Sequence, residues 1–175
     1  VVIASPNNPT GSVIDPTDLE HLVASNSALF VVDEAYFDFH GESALELTRT
    51  YRNVVVLRTF SKAFATAGLR FGLMVGHADA IPFFATAKLP YNVNIFTMAA
   101  VEVAMEHAAT LKGRLEEIKR KRERVLRVLR ANSAIRAFPS RANFVLFETD
   151  RPARKIWHSM VKRGVLIRDV SGYPR

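Results

Sequence analysis

The chain has 175 residues, enough for one globular domain or for one domain and part of a second. Its 49% hydrophobic and 23% charged residues exclude a disordered chain. No apolar run approaches the ~18–20 residues of a membrane span. Cysteine is absent, which excludes disulfides, thiolate metal sites and cysteine nucleophiles and fits a reducing cytoplasmic compartment.

Short apolar runs alternate with helical patterns along the first half. Val1–Ser5 reads as a buried strand, and its lack of a starting Met suggests a piece of something longer. Asp15-Pro16 opens a helix, with Asp15 as N-cap, Pro16 in first position and Leu19, Leu22 and Val23 as its apolar face. Ala28–Val32 and Asn53–Arg58 read as further buried strands, and Phe71–Val75 as a fourth. From Ala78 the pattern turns helical, strongest over Met98–His107 and Leu111–Ala131. After Asn132 it becomes strand (Asn143–Glu148), helix (Pro152–Arg163, stopped by Gly164) and strand (Val165–Arg168). This alternation predicts an α/β core with a mainly parallel sheet. A domain boundary is expected near Ala131–Ala134, dividing 1–131 from 132–175.

The net charge of +7 is concentrated in one place. Between Lys112 and Arg130 stand nine basic side chains against three glutamates, a net of +6. The same segment carries Leu111, Leu115, Ile118, Val125, Leu126 and Leu129 at helical spacing, interrupted at Arg122. A solvated basic face on an amphipathic helix accounts for this. No aromatic residue lies among the charges to stack on a base, so no nucleic-acid partner is expected.

The chemistry is expected at the carboxyl ends of the strands, where loops of an open α/β sheet converge. The first strand is followed by Pro6-Asn7-Asn8-Pro9-Thr10-Gly11, and the second by Asp33-Glu34-Ala35-Tyr36. The third leads into Thr59-Phe60-Ser61-Lys62, with Gly68-Leu69-Arg70 beyond. One rim thus gathers an amide, a carboxylate, a phenol, hydroxyls, a lysine and an arginine. The five histidines have no metal-ligand spacing, and there is no Ser/His/Asp arrangement. Lys62 is suited to Schiff-base chemistry, and the hydroxyls with Arg70 to holding a phosphate. Glu34 is given a structural contact, and Trp157, on a helix face with Met160 and Val161, a place in the core.

Ser5–Gly11, Asp33–Tyr36, Thr59-Phe60-Ser61-Lys62 and Arg70 resemble the motif series of fold-type I, pyridoxal-phosphate-dependent aminotransferases. Within that superfamily, four stretches are most similar to the histidinol-phosphate aminotransferase family. These are Arg58–Phe64, Leu89-Pro90-Tyr91-Asn92-Val93-Asn94, Ala142-Asn143-Phe144-Val145 and Gly164–Pro174. The resemblance runs over essentially the whole chain. It implies a segment of the large cofactor-binding domain with its long connecting helix, followed by the start of a small α+β domain.

It also implies roles. Lys62 would hold pyridoxal 5'-phosphate as a Schiff base and then act as general base and acid, a task helped by burial and by a cation such as Arg70. Asp33 would pair with the pyridine nitrogen. Asn8 and Tyr36 would hydrogen-bond the cofactor's phenolate oxygen, and Thr59, Ser61 and Arg70 would bind its phosphate. The Asn7–Gly11 stretch is equally a turn, Asp33 a possible cap, and Thr59 and Ser61 possible caps of a helix beginning near Lys62. Tyr91 and Asn92 stand as substrate contacts, or as a turn packing a helix start.

The implied reaction moves an amino group between histidinol phosphate and a 2-oxo acid, with 2-oxoglutarate returning glutamate, in a homodimer. The family's upstream stacking aromatic and its downstream substrate-gripping arginine have no counterpart here. Arg168 does not match the latter position. An aromatic aminotransferase or a threonine-phosphate decarboxylase is the alternative enzyme, and a catalytically silent regulatory module the alternative from another class.

Overall fold

Residues 1–173 are described by the computed structural model; Pro174, the last residue of the Gly164–Pro174 stretch, lies outside them. Three strands, β1 (Val2–Ala4), β2 (Phe30–Asp33) and β3 (Val54–Thr59), run parallel in that order, and β4 (Gly72–Gly76) returns antiparallel along β3. Ala4 pairs with Asp33 and Asp33 with Leu57, so the parallel strands end on one rim. Thr59 pairs with Gly72, which brings the start of β4 to the same rim. Glycine is required there, because a Cβ on Gly72 would lie 2.8 Å from the Arg58 carbonyl oxygen.

Helix α1 (Pro16–Ala24) connects β1 to β2 and begins as its sequence dictates. Asp15 Oδ1 accepts the Thr17 N–H at 2.8 Å, and Pro16 occupies the first turn. Leu19 and Val23 pack on Phe30, Val32, Val54 and Val56, while Leu22 points away and is exposed. Val54, Val55 and Val56 are fully buried, so β3 is covered on both faces, the condition its unbroken apolar run implies.

Beyond a four-residue helix α2 (Leu47–Thr50), three helices follow the sheet: α3 (Ile81–Ala87), α4 (Ile95–Glu106) and α5 (Ala108–Arg130). The last two begin about one turn earlier than the apolar periodicity suggests. For α4 the cause is Asn94, whose Oδ1 accepts the Thr97 N–H at 2.9 Å. Leu111, Leu115 and Ile118 of α5 pack against the cluster of Tyr36, Phe39, Ala63 and Ala142. The polar break in this stripe is itself a buried tie. Arg122 Nη1 donates to the Ala142 carbonyl at 3.0 Å, and its side chain is 7% exposed.

A separate two-stranded antiparallel sheet pairs β5 (Ile135–Ala137) with β6 (Phe147–Thr149), followed by α6 (Ala153–Val161). Three expectations are corrected here. The strand expected over Asn143–Glu148 shrinks to β6, because Ala142 and Phe144 dock into the Tyr36 cluster instead of pairing. Val165–Arg168 forms no strand among the described residues. The Val165 N–H closes the end of α6 on the Met160 carbonyl, and Val165 and Leu166 are exposed. Trp157 is not core; it is half-buried and lines a broad groove of about 1010 Å³ beside β6. Among the described residues no helix is long and apolar enough to cross a membrane.

Candidate active site

The loop after β1 is a tight turn held from within. The Gly11 N–H donates to the Asn7 carbonyl at 2.7 Å and the Asn7 N–H to the Ser12 carbonyl at 2.8 Å. Gly11 has φ +72° and rests on Ser140, so a Cβ there would overlap the serine side chain and lie 2.9 Å from its Cα. The Arg141 N–H completes the contact on the Gly11 carbonyl at 2.8 Å. The turn presents Asn8, whose Nδ2 donates to the Tyr36 hydroxyl at 2.9 Å. The turn reading of this loop holds, and the turn brings the Asn8 amide to Tyr36.

Asp33 ends β2 half-buried. Its Oδ1 accepts the Ala35 N–H at 2.9 Å, so it does cap the following segment, but with one oxygen only. Its Oδ2 has no hydrogen-bond partner among the described residues. Tyr36, three residues on, is buried with its ring edge-on to Phe144 at 5.2 Å. Lys62 is exposed rather than buried, and its Nζ lies 5.4 Å from the centroid of the Tyr36 ring.

Thr59 and Ser61 are adjacent, with 2.9 Å between their hydroxyls, and the Ser61 N–H donates to Thr59 Oγ1 at 3.1 Å. No helix begins at Lys62, contrary to expectation. Ala65 takes φ +55°, which breaks any helical run, and only a 3₁₀ turn follows at Ala67–Leu69. The Thr59 and Ser61 hydroxyls are therefore presented by a loop and not by a helix N-terminus. Arg70 stands exposed at φ +54° before β4, its side chain bonded only to the Ala67 carbonyl at 3.2 Å, and it has no ion-pair partner among the described residues.

Tyr91 and Asn92 stand apart from this group. Tyr91 is 99% exposed at φ +57°, so it does not pack the start of α4, a role that Asn94 fills as its cap. Glu34 is buried and makes the structural contact expected of it, with Arg58, Ser43 and Ala44. What the sequence did not disclose is the part played by Gly11, Ser140, Ala142 and Phe144. The Ala142–Val145 motif is visible in the sequence, but nothing local indicates that it packs on Tyr36.

A mainly parallel α/β sheet whose strand-end loops carry a carboxylate, an amide–phenol pair, two adjacent hydroxyls, a lysine and an arginine defines the class: a segment of a fold-type I enzyme. The sequence matches Aminotransferase class I and II over residues 1–174, and the chain belongs to that family. Histidinol-phosphate aminotransferase 1 of Carboxydothermus hydrogenoformans is 42% identical over 172 residues, 98% of this chain and 49% of that protein. Histidinol-phosphate aminotransferase from Sinorhizobium meliloti, solved in complex with pyridoxal-5'-phosphate, matches with a TM-score of 0.87 at 28% identity, over 98% of this chain and 50% of that one. L-threonine-O-3-phosphate decarboxylase from Porphyromonas gingivalis matches with a TM-score of 0.89 at 25% identity, over 98% and 55%. The chain spans about half the length of the curated relatives it matches.

Proposed function

We propose that this chain is the cofactor-binding half of a pyridoxal-phosphate-dependent aminotransferase that moves an amino group between histidinol phosphate and a 2-oxo acid, with 2-oxoglutarate and glutamate as the second pair. The observation that carries the reading is the convergence of Asn8, Tyr36 and Lys62 beside a carboxylate with one open oxygen. Residues 1–131 belong to the large domain in this reading, 132–175 open the small one, and the enzyme is cytoplasmic.

The residues present fit the cofactor. Asn8 and Tyr36 offer donors for a phenolate oxygen. Asp33 Oδ2 is open to a protonated ring nitrogen, and the Thr59–Ser61 hydroxyls with Arg70 suit a phosphate monoester. When bound, pyridoxal phosphate supplies an electron sink for the charge left on the substrate's α-carbon. The chain supplies the rest. Lys62 provides the amine that tethers the cofactor and, once released, takes and returns the proton at the reacting carbon. Asp33 would hold a proton on the ring nitrogen, and the Asn8–Tyr36 pair would hydrogen-bond the phenolate oxygen.

Two further elements belong to this reading. Phe83, Leu89, Ile95 and Phe96 are each at least three-quarters exposed over α3, α4 and their connection, an apolar face suited to a second copy in a homodimer. Tyr91 and Asn92 lie within that face, so as substrate contacts they would act on the partner's site. The alternative activity, decarboxylation of threonine phosphate, is favoured by the similarity to the Porphyromonas gingivalis enzyme. Borohydride reduction of the full-length enzyme with pyridoxal phosphate should place the label on Lys62, and a label on Lys88 instead would overturn the assignment. Comparing kcat/KM for histidinol phosphate, phenylalanine, tyrosine and threonine phosphate then decides the substrate. Release of carbon dioxide from threonine phosphate would favour the decarboxylase.

A further inference from the structure

The strongest group outside the rim is a buried ionic cluster on the opposite face of the sheet. Strand alternation places it there. Phe30 and Val32 of β2 and Val54 and Val56 of β3 face α1, and the next residues in step on each strand are Glu34 and Arg58. Asp33 and Thr59 point the other way.

Glu34 is 3% exposed, and both of its carboxylate oxygens are hydrogen-bonded. Arg58 Nε donates to its Oε2 at 3.0 Å, Ser43 Oγ lies 2.9 Å from both carboxylate oxygens, and the Ala44 N–H donates to Oε1 at 2.6 Å. Arg58 Nη2 donates to Ser43 Oγ at 2.8 Å, which closes the network. The Arg58 guanidinium carbon also sits over the Phe37 ring, 3.7 Å from its centroid. One arginine therefore grips the residue after Asp33 and the residue after Tyr36, while its own neighbour is Thr59. It holds both ends of the Asp33–Tyr36 loop to the strand that delivers Thr59, Ser61 and Lys62.

We infer that Arg58 and Glu34 are positioning residues for the cofactor site, fixing the Asp33–Tyr36 loop relative to the Thr59–Lys62 loop from the face of the sheet that the cofactor does not touch. This rests on the assignment of the rim as a pyridoxal-phosphate site. A planar fork bonded to Glu34 and Ser43 and seated over a ring fixes orientation, which a lysine's point charge does not. Burial of Glu34 makes the arrangement demanding, because removing Arg58 leaves a carboxylate of 2% exposure without its ion-pair partner.

The test uses the full-length enzyme loaded with pyridoxal phosphate and three variants: Glu34→Gln, Arg58→Lys and the apolar pair Glu34→Leu/Arg58→Met. Three quantities are read: the melting temperature of the apoenzyme, the cofactor dissociation constant, and the midpoint of the pH titration of the bound cofactor's visible absorbance. Glu34→Gln and Arg58→Lys are expected to weaken cofactor binding tenfold or more and to move the titration midpoint by at least half a pH unit. The apolar pair is expected to restore the melting temperature without restoring binding or the midpoint. If the apolar pair restores all three, or if the single variants stay within twofold of wild-type binding with an unmoved midpoint, the positioning role is overturned. Lys62→Ala separates this from the underlying assignment. A wild-type visible band that survives Lys62→Ala sinks the cofactor-site reading, and with it this inference.

Discussion

Asn8 Nδ2 donates to the Tyr36 hydroxyl at 2.9 Å, joining two loops that leave adjacent strands 28 residues apart in sequence. Because the amide is the donor, the Tyr36 O–H proton remains available to a third group. Hydrogen-bonded pairs that are partly buried, as this one is, are coupled, and the coupling is measurable. Asn8→Ala, Tyr36→Phe and the double variant, compared by cofactor affinity of the full-length enzyme, should show an interaction energy of about 1 kcal/mol. Strict additivity would mean that the two side chains act independently.

Asp33 and Arg70 should fail differently. Asp33→Asn keeps the shape and the cap on Ala35 but offers no negative charge to a ring nitrogen, so turnover should fall far more than cofactor retention. Arg70→Ala leaves that charge in place and removes the guanidinium that precedes β4, so cofactor should be lost first. Equilibrium dialysis beside single-turnover kinetics separates the two, and matching profiles would contradict separate roles.

Much of the fold that carries this rim is legible in the sequence itself. Asp15-Pro16 announced α1 because capping is local chemistry, and Val54–Val56 announced a doubly covered strand because burial on both faces leaves no polar position. The strand-end loops were readable because parallel strands must deliver their carboxyl ends to one side. Long-range docking was not. Arg122 looks like a flaw in the α5 stripe until the Ala142 carbonyl is seen beneath it. Val165–Arg168 has strand composition, yet a strand exists only where a neighbour pairs with it. The helix expected at Lys62 failed for a similar reason: Ala65 and Arg70 hold left-handed conformations that composition alone does not reveal.

Gly11 should be intolerant of any side chain. Its φ of +72° costs an alanine about 1 kcal/mol, and the overlap with Ser140 adds to that. Gly11→Ala should therefore destabilise the full-length enzyme by about 2 kcal/mol or more and disturb Asn8. Gly68→Ala is the control, since a Cβ there meets nothing within 4 Å. Melting temperatures of the two variants decide the matter. Equal small losses would mean that the contact with Ser140 yields easily.

Asp38 gives a pH dependence whose sign can be worked out. Burial in the turn between Tyr36 and His40 raises its carboxyl above the ordinary 3.8. The nearby Arg58 guanidinium, its own backbone hydrogen bond and Lys119 pull it back only in part, and Glu34 adds to the rise. A carboxyl raised in the folded state holds its proton at a pH where the unfolded chain has already lost it. Both states are protonated below about pH 3.8, where the group costs nothing. The cost grows as pH rises from 3.8 through the folded value and is constant above it. Asp38→Asn removes the titration while keeping the size, so the variant should match wild type in acid and exceed it in stability near neutral pH. Urea denaturation of both proteins from pH 3 to pH 8 measures the difference directly. A gap that does not change with pH would show that the attraction of Arg58 and Lys119 cancels burial, and a variant weaker than wild type only at neutral pH that it outweighs burial.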